Sequence, residues 1–66
     1  MNFKQLLKSQ NFHLVSACIS HRFYDNGVYQ IELVNITGTC SLIRNGDVVD
    51  TFNVHDQNIT EAMLVY

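Results

Sequence analysis

The stretch from residue 13 to residue 36, HLVSACISHRFYDNGVYQIELVNI, decides the fold because apolar and polar side chains alternate along most of it. Alternation with a period of two is typical of a half-buried β-strand. It predicts one strand over His13–Phe23 and a second over Val28–Ile36. The segment Asp25-Asn26-Gly27 between them is the expected turn.

The length of this turn determines which faces of the two strands lie together. A two-residue turn at Asn26-Gly27 would join the apolar face of the first strand to the mixed face of the second. A three-residue loop, with Gly27 in the left-handed conformation, pairs Phe23 with Tyr29 and Ile19 with Leu33. We therefore predict the three-residue loop. Odd-numbered side chains then face the core, and the even-numbered ones, which include Arg22, Tyr24 and Glu32, face away from it.

A second hairpin is predicted after a chain reversal at Gly38. Its strands span Thr39–Ile43 and Val48–Val54, and Asn45-Gly46 is a favourable two-residue hairpin turn. This turn places oppositely charged and apolar residues across from one another, as Arg44 with Asp47, Ile43 with Val48 and Leu42 with Val49. The two hairpins together predict a four-stranded antiparallel meander.

Both ends of the chain carry helix signals. Asn2 followed by Gln5, and Asn58 followed by Glu61, have the spacing of a capping box. The first helix is expected to end near Asn11, because Asn tolerates the left-handed position after a helix. The predicted fold is a single small α+β domain over residues 1–66, with the four-stranded meander flanked by an N-terminal and a C-terminal helix on one face (α-β-β-β-β-α).

Composition narrows the class of protein. The 66 residues are 47% hydrophobic and 15% charged, which is typical of a small globular domain. The longest apolar runs, such as Ala62–Tyr66, are far shorter than the roughly 20 residues of a transmembrane helix, so we expect a cytoplasmic protein with no membrane contact. A net charge of -2 without a basic cluster makes direct nucleic-acid binding improbable.

Cysteine and histidine are the residues that could carry chemistry. Cys18 and His21 are three residues apart on the first predicted strand, so their side chains are expected on opposite faces. Cys40 and His55 provide no second close pair of metal ligands. The sequence therefore predicts no catalytic, cofactor or metal site, and no enzyme activity.

The remaining function is binding. In size and in lacking a catalytic constellation, the chain is similar to small standalone proteins of phages and mobile elements, such as anti-CRISPR proteins, which implies an inhibitor or modulator of a larger protein. A basic surface on that partner would meet the acidic last third of the chain. The candidate contact residues are Asp47, Asp50, Asp56 and Glu61, together with Arg22, Tyr24 and Glu32 on the sheet. The alternative is a structural homodimer or small subunit, formed through the uncovered sheet face or through Leu64-Val65-Tyr66.

Overall fold

The computed structural model describes residues 1–59, and its first element is the helix α1, Phe3–Ser9. The side chains of Asn2 and Gln5 each accept a hydrogen bond from the other's backbone N–H at 2.9 Å, so the predicted capping box is confirmed. At the other end Asn11 has a φ of 59°, and the Phe12 N–H donates to the Leu7 carbonyl at 2.9 Å. This left-handed closure ends the helix and directs the chain into the sheet.

Five antiparallel strands follow the helix and lie side by side in sequence order. They are β1 (His13–Ala17), β2 (His21–Asp25), β3 (Gln30–Val34), β4 (Thr39–Arg44) and β5 (Asp47–Asn53). The predicted arrangement α-β-β-β-β-α is therefore wrong, since residues 1–59 are mostly β, with five strands and one short helix. The helix predicted from Asn58 falls largely on residues 60–66, which lie outside the described residues.

The extra strand arises because the predicted strand 13–23 is two strands with a sharp turn between them. The Cys18 N–H donates to the His21 carbonyl at 2.9 Å and closes the turn over Ile19 and Ser20. Asn35, from the β3–β4 connection, holds this turn. Its backbone N–H donates to the Ser20 carbonyl at 2.8 Å and its side-chain amide to the Ile19 carbonyl at 3.0 Å. The turn therefore depends on a distant residue, and it contains no Gly or Pro that would reveal it.

The β2–β3 connection is also longer than predicted, because Asp25 pairs with Gln30 across a four-residue loop. The Asn26 side chain accepts hydrogen bonds from the N–H groups of Val28 and Tyr29, and donates to the Gln10 carbonyl at 3.0 Å. These hydrogen bonds favour a four-residue loop over the predicted three-residue loop. The predicted pairs of Phe23 with Tyr29 and Ile19 with Leu33 are consequently wrong, and Tyr24 pairs with Ile31.

The second hairpin forms about the predicted turn. Arg44 lies opposite Asp47 and Ile43 opposite Val48, and Asn45 and Gly46 both have positive φ, as a tight hairpin turn requires. The predicted pairing of Leu42 with Val49 is wrong, because a bulge in β5 shifts the register and brings Asp50 opposite Leu42.

The core lies between α1 and one face of the sheet. Phe3 contacts Tyr24 edge to face, with ring centroids 5.5 Å apart, and lies 6.2 Å from the Phe52 ring. Ile59 is buried and exchanges two backbone hydrogen bonds with Met1, at 2.8 and 2.9 Å, so the chain returns to the helix side after β5. The fully buried sheet residues are Ile31, Leu42 and Cys40.

Candidate functional site

Residues 1–59 form no layer over the side of the sheet that lies opposite α1. Residues paired across antiparallel strands share a face, so the strand register identifies the side chains on this side. We call it the open face, and its central members are His21, Phe23, Gln30, Glu32, Val34, Ser41, Ile43, Val48 and Thr51. Phe23 is 37% exposed and Val48 is 59% exposed, so apolar surface on this face contacts solvent.

The charges of the described residues are divided between the two sides of the sheet. Arg22 and Arg44 lie on the helix side, because they share a face with Leu33 and Leu42 respectively, and Arg44 lies 5.6 Å from the Tyr29 ring centroid. Lys4 and Lys8 belong to α1. The strand residues of the open face within residues 1–59 thus include the carboxylates of Asp25 and Glu32 and no Lys or Arg.

A shallow groove of about 220 Å³ lies where the open face meets the loop 26–29 and the turn 45–46. Its walls combine the apolar side chains of Val28 and Ile43 with the polar ones of Asp25 and Gln30. The groove therefore brings one carboxylate, that of Asp25, next to apolar side chains.

The structure separates the residues that the sequence proposed as partner contacts. Glu32 lies on the open face, whereas Arg22 lies on the helix side and Tyr24 is buried in the core. Asp47 and Asp50, paired with Arg44 and Leu42, also lie on the helix side. Asp56 is exposed after β5 and accepts a hydrogen bond from the Asn58 N–H at 2.9 Å, and Glu61 is outside the described residues.

A chain of polar contacts at one end of the open face joins residues that the sequence had kept apart. The exposed Cys18 Sγ lies 3.5 Å from Ser20 Oγ, which lies 2.7 Å from His21 Nδ1. His21 Nε2 in turn lies 3.5 Å from Glu32 Oε1. The expectation that Cys18 and His21 are held apart on opposite faces of a strand is wrong, because both residues flank a turn and Ser20 connects them.

The two cysteines have opposite environments. Hydrogen bonds to Cys18, first from the Ser20 hydroxyl and then from the backbones of Ser20 and His21, lower the pKa of its thiol from 9.0 to about 7. Cys40 is fully buried in the core, and this burial raises the pKa of its thiol to about 12. Cys18 is therefore partly thiolate near neutral pH, whereas Cys40 is a neutral core side chain.

The sequence did contain a signal for this cluster, although the strand prediction concealed it. Cys18, Ser20 and His21 are within four residues of one another, and a turn is the local structure that brings such neighbours together. No three His, Cys, Asp or Glu side chains of residues 1–59 come together as metal ligands. At seven residues α1 is too short to cross a bilayer, and residues 1–59 contain no longer helix.

Comparison with protein-family models, with curated proteins and with solved structures finds no match to this chain.

Proposed function

We propose that the protein is a non-enzymatic binding module that inhibits or modulates a larger protein, and that it docks through the open face. The partner presents apolar side chains together with Lys or Arg. The observation that supports this is the composition of the face, where exposed Phe23 and Val48 accompany the carboxylates of Asp25 and Glu32, and where the strand residues within 1–59 include no Lys or Arg. Apolar surface left in water favours association, and its unbalanced negative charge favours a basic partner.

Phe23 and Glu32 form the centre of the proposed contact. Phe23 is paired with Glu32 across the β2–β3 ladder, and its ring stacks on His21 with centroids 6.1 Å apart. An aromatic ring beside a carboxylate suits a cationic side chain, because the ring face and the carboxylate both attract positive charge. The groove at Ile43 and Asp25 provides a second position for such a side chain.

The acidic residues of β5 and of the segment that follows it act at longer range in this proposal. Asp47 and Asp56 are exposed, and Asp50 lies on the same β5 strand as Asp47, so together they add negative potential to one edge of the sheet. Such charges accelerate the encounter with a basic protein without touching it in the complex. The rate of association is then expected to fall as salt rises, because the ions screen this attraction.

A titration monitored by NMR tests the docking surface. The probe is a strand-length synthetic peptide of alternating Lys and Val, added to the isotope-labelled full chain, and the control peptide has Glu in place of Lys. We expect amide shifts centred on Phe23, Glu32 and Ile43 with the basic peptide alone. Shifts centred on α1, or equal shifts with both peptides, would refute the proposal.

A matched pair of variants tests whether binding depends on the open face itself or on any exposed apolar side chain. Leu14 is 52% exposed and, paired with Tyr24, lies on the helix side of the sheet. Phe23→Ser is expected to weaken binding of the basic peptide several-fold, whereas Leu14→Ser should leave it unchanged. Equal losses in the two variants would contradict docking through the open face.

The alternative of a homodimer uses the same surface with a different occupant. Light scattering of the full chain over a dilution series, at low and high salt, distinguishes the two. A monomer at all concentrations is expected if the occupant is a basic partner. A dimer that strengthens with salt and is abolished by Phe23→Ser would show that a second copy covers the open face, and would overturn the proposal.

A further inference from the structure

We propose that Cys18 is a reversible modification site, where the thiol exchanges with a small-molecule disulfide to form a mixed disulfide. The proposal is independent of the docking surface, although His21 and Glu32 belong to both. It depends on three features of the turn. The Cys18 sulfur is exposed, the Ser20 hydroxyl and the His21 imidazole form a chain of polar contacts with it, and Asn35 from the β3–β4 connection holds the turn.

The side-chain contacts around Cys18 define a path by which a proton can leave the sulfur. The thiol of Cys18 can donate toward Ser20 Oγ over 3.5 Å, and the Ser20 hydroxyl can donate to His21 Nδ1 over 2.7 Å. Glu32 Oε1, 3.5 Å from His21 Nε2, stabilises the positive charge that the imidazole then acquires. The same contacts run in reverse when the thiol is restored.

The turn presents the sulfur to solvent. Cys18 is exposed and Ile19, at the tip of the turn, is 100% exposed, so a disulfide reagent meets no covering side chain among residues 1–59. Asn35 fixes the turn through its bonds to the carbonyls of Ser20 and Ile19. These bonds hold the backbone of the turn, on which Cys18 Sγ lies 3.5 Å from Ser20 Oγ.

The exchange step is balanced without a further oxidant. The Cys18 thiolate attacks one sulfur of the small disulfide, a new S–S bond forms to Sγ, and the original S–S bond breaks. The leaving thiolate takes the bonding electron pair and is protonated by solvent. A second small thiol reverses the reaction by attacking the mixed disulfide.

Cys40 is the control within the same chain. Its side chain is fully buried and lies 3.8 Å from the Gly38 carbonyl, so the sulfur is inaccessible to reagent and its thiol is disfavoured from ionising. Reaction of the folded protein with a disulfide should stop at one equivalent. Peptide mapping by mass spectrometry should then find the adduct on Cys18.

The test measures the rate of reaction of the full chain with 4,4′-dithiodipyridine as a function of pH. The rate is expected to rise with a midpoint near 7, as the lowered pKa of Cys18 requires. Ser20→Ala should move the midpoint toward 9.0. Ser16→Ala, at another exposed serine two residues before Cys18, is the matched control and should leave the profile unchanged.

The fall in reaction rate expected for Ser20→Ala can be bounded from the change in the thiol pKa. Moving a thiol pKa from about 7 to about 9 lowers its thiolate fraction at about pH 7 roughly 50-fold, while its intrinsic nucleophilicity rises about eightfold, so the net rate falls about sixfold. Because the backbone hydrogen bonds survive in Ser20→Ala, we expect a fall of about two- to sixfold.

Three results would overturn the proposal: a midpoint near 9 in the unmodified protein, an unchanged profile in Ser20→Ala, or labelling of Cys40 as fast as Cys18. His21→Gln supplies a second variant should Ser20→Ala disturb folding, and it too is expected to raise the midpoint. Circular dichroism of each variant establishes that the sheet is intact. Peptide binding at the open face is a separate measurement, so failure of one proposal does not conceal failure of the other.

Discussion

Gly38 is the glycine at which an added methyl group should cost the most stability, because it is the only one of the three with a close neighbour at the Cβ position. It has a φ of +75°, its N–H donates to the Val34 carbonyl at 2.8 Å, and its carbonyl accepts from the Val54 N–H at 2.7 Å. These two bonds prevent the backbone from moving away. A Cβ at this residue would lie 2.9 Å from Val54 Cγ1, closer than real Cβ atoms approach carbon.

Gly38→Ala therefore combines two penalties. The left-handed backbone costs an L-residue about 1–2 kcal/mol. The contact with Val54 adds roughly 1–3 kcal/mol, as for other overpacked sites. We expect a loss of about 3 kcal/mol in the free energy of unfolding, which for a chain of this size lowers Tm by roughly 12–24 °C. A domain of this length has only about 3–10 kcal/mol in total, so the variant should be close to unfolding.

Urea denaturation followed by far-UV circular dichroism measures this loss, and Gly46→Ala is the control. Gly46 has a similar φ of +83°, but no atom lies within 4 Å of the position that a Cβ would take, so only the backbone penalty of about 1–2 kcal/mol applies. Adding Val54→Ala to Gly38→Ala should recover part of the loss, because it removes the clashing methyl group. Equal costs at Gly38 and Gly46, or no recovery in the double variant, would refute the steric argument.

Three further predictions concern the cap, the turn and the core thiol. Asn2→Ala should lower the free energy of unfolding by about 1 kcal/mol, measured by urea denaturation, and Asn2→Asp should restore most of it. Asn35→Ala should accelerate hydrogen exchange at Cys18 and slow its reaction with disulfides, while β4 and β5 amides remain protected; uniform loss of protection would contradict a local role. Because the folded-state pKa of Cys40 is raised to about 12, the stability this thiol contributes is complete below 9.0 and is lost as pH rises toward 12. Cys40→Ala should thus show a flatter decline of stability over that range in alkaline urea titrations, and an unchanged slope would contradict the assignment.

The candidate site was only partly accessible from sequence. Glu32 was correctly placed on the face away from the helix, but Tyr24 was assigned to that face and lies in the core. Phe23, predicted to be core, lies on the open face instead. The β2 segment has aromatic residues on both faces, so its alternation does not distinguish them. The edge-to-face contact of Tyr24 with Phe3 forms only when α1 packs on the sheet.

The sequence by itself determined the features whose hydrogen bonds join residues a few positions apart. These are the capping box of Asn2 and Gln5, the helix end at Asn11, and the Asn45-Gly46 turn with Arg44 opposite Asp47. Each is local, so the residue types within it carry nearly all the information.

Only the tertiary structure decided where the long strand breaks and which face of β2 is buried. The turn over Ile19 and Ser20 is held by Asn35, and the loop 26–29 is anchored through Asn26 to the Gln10 carbonyl at the end of α1. Both anchors come from residues about sixteen positions away in the chain. Because a strand has a period of two, a change of one residue in a loop reverses every side chain that follows, so these distant bonds set the faces of the whole hairpin.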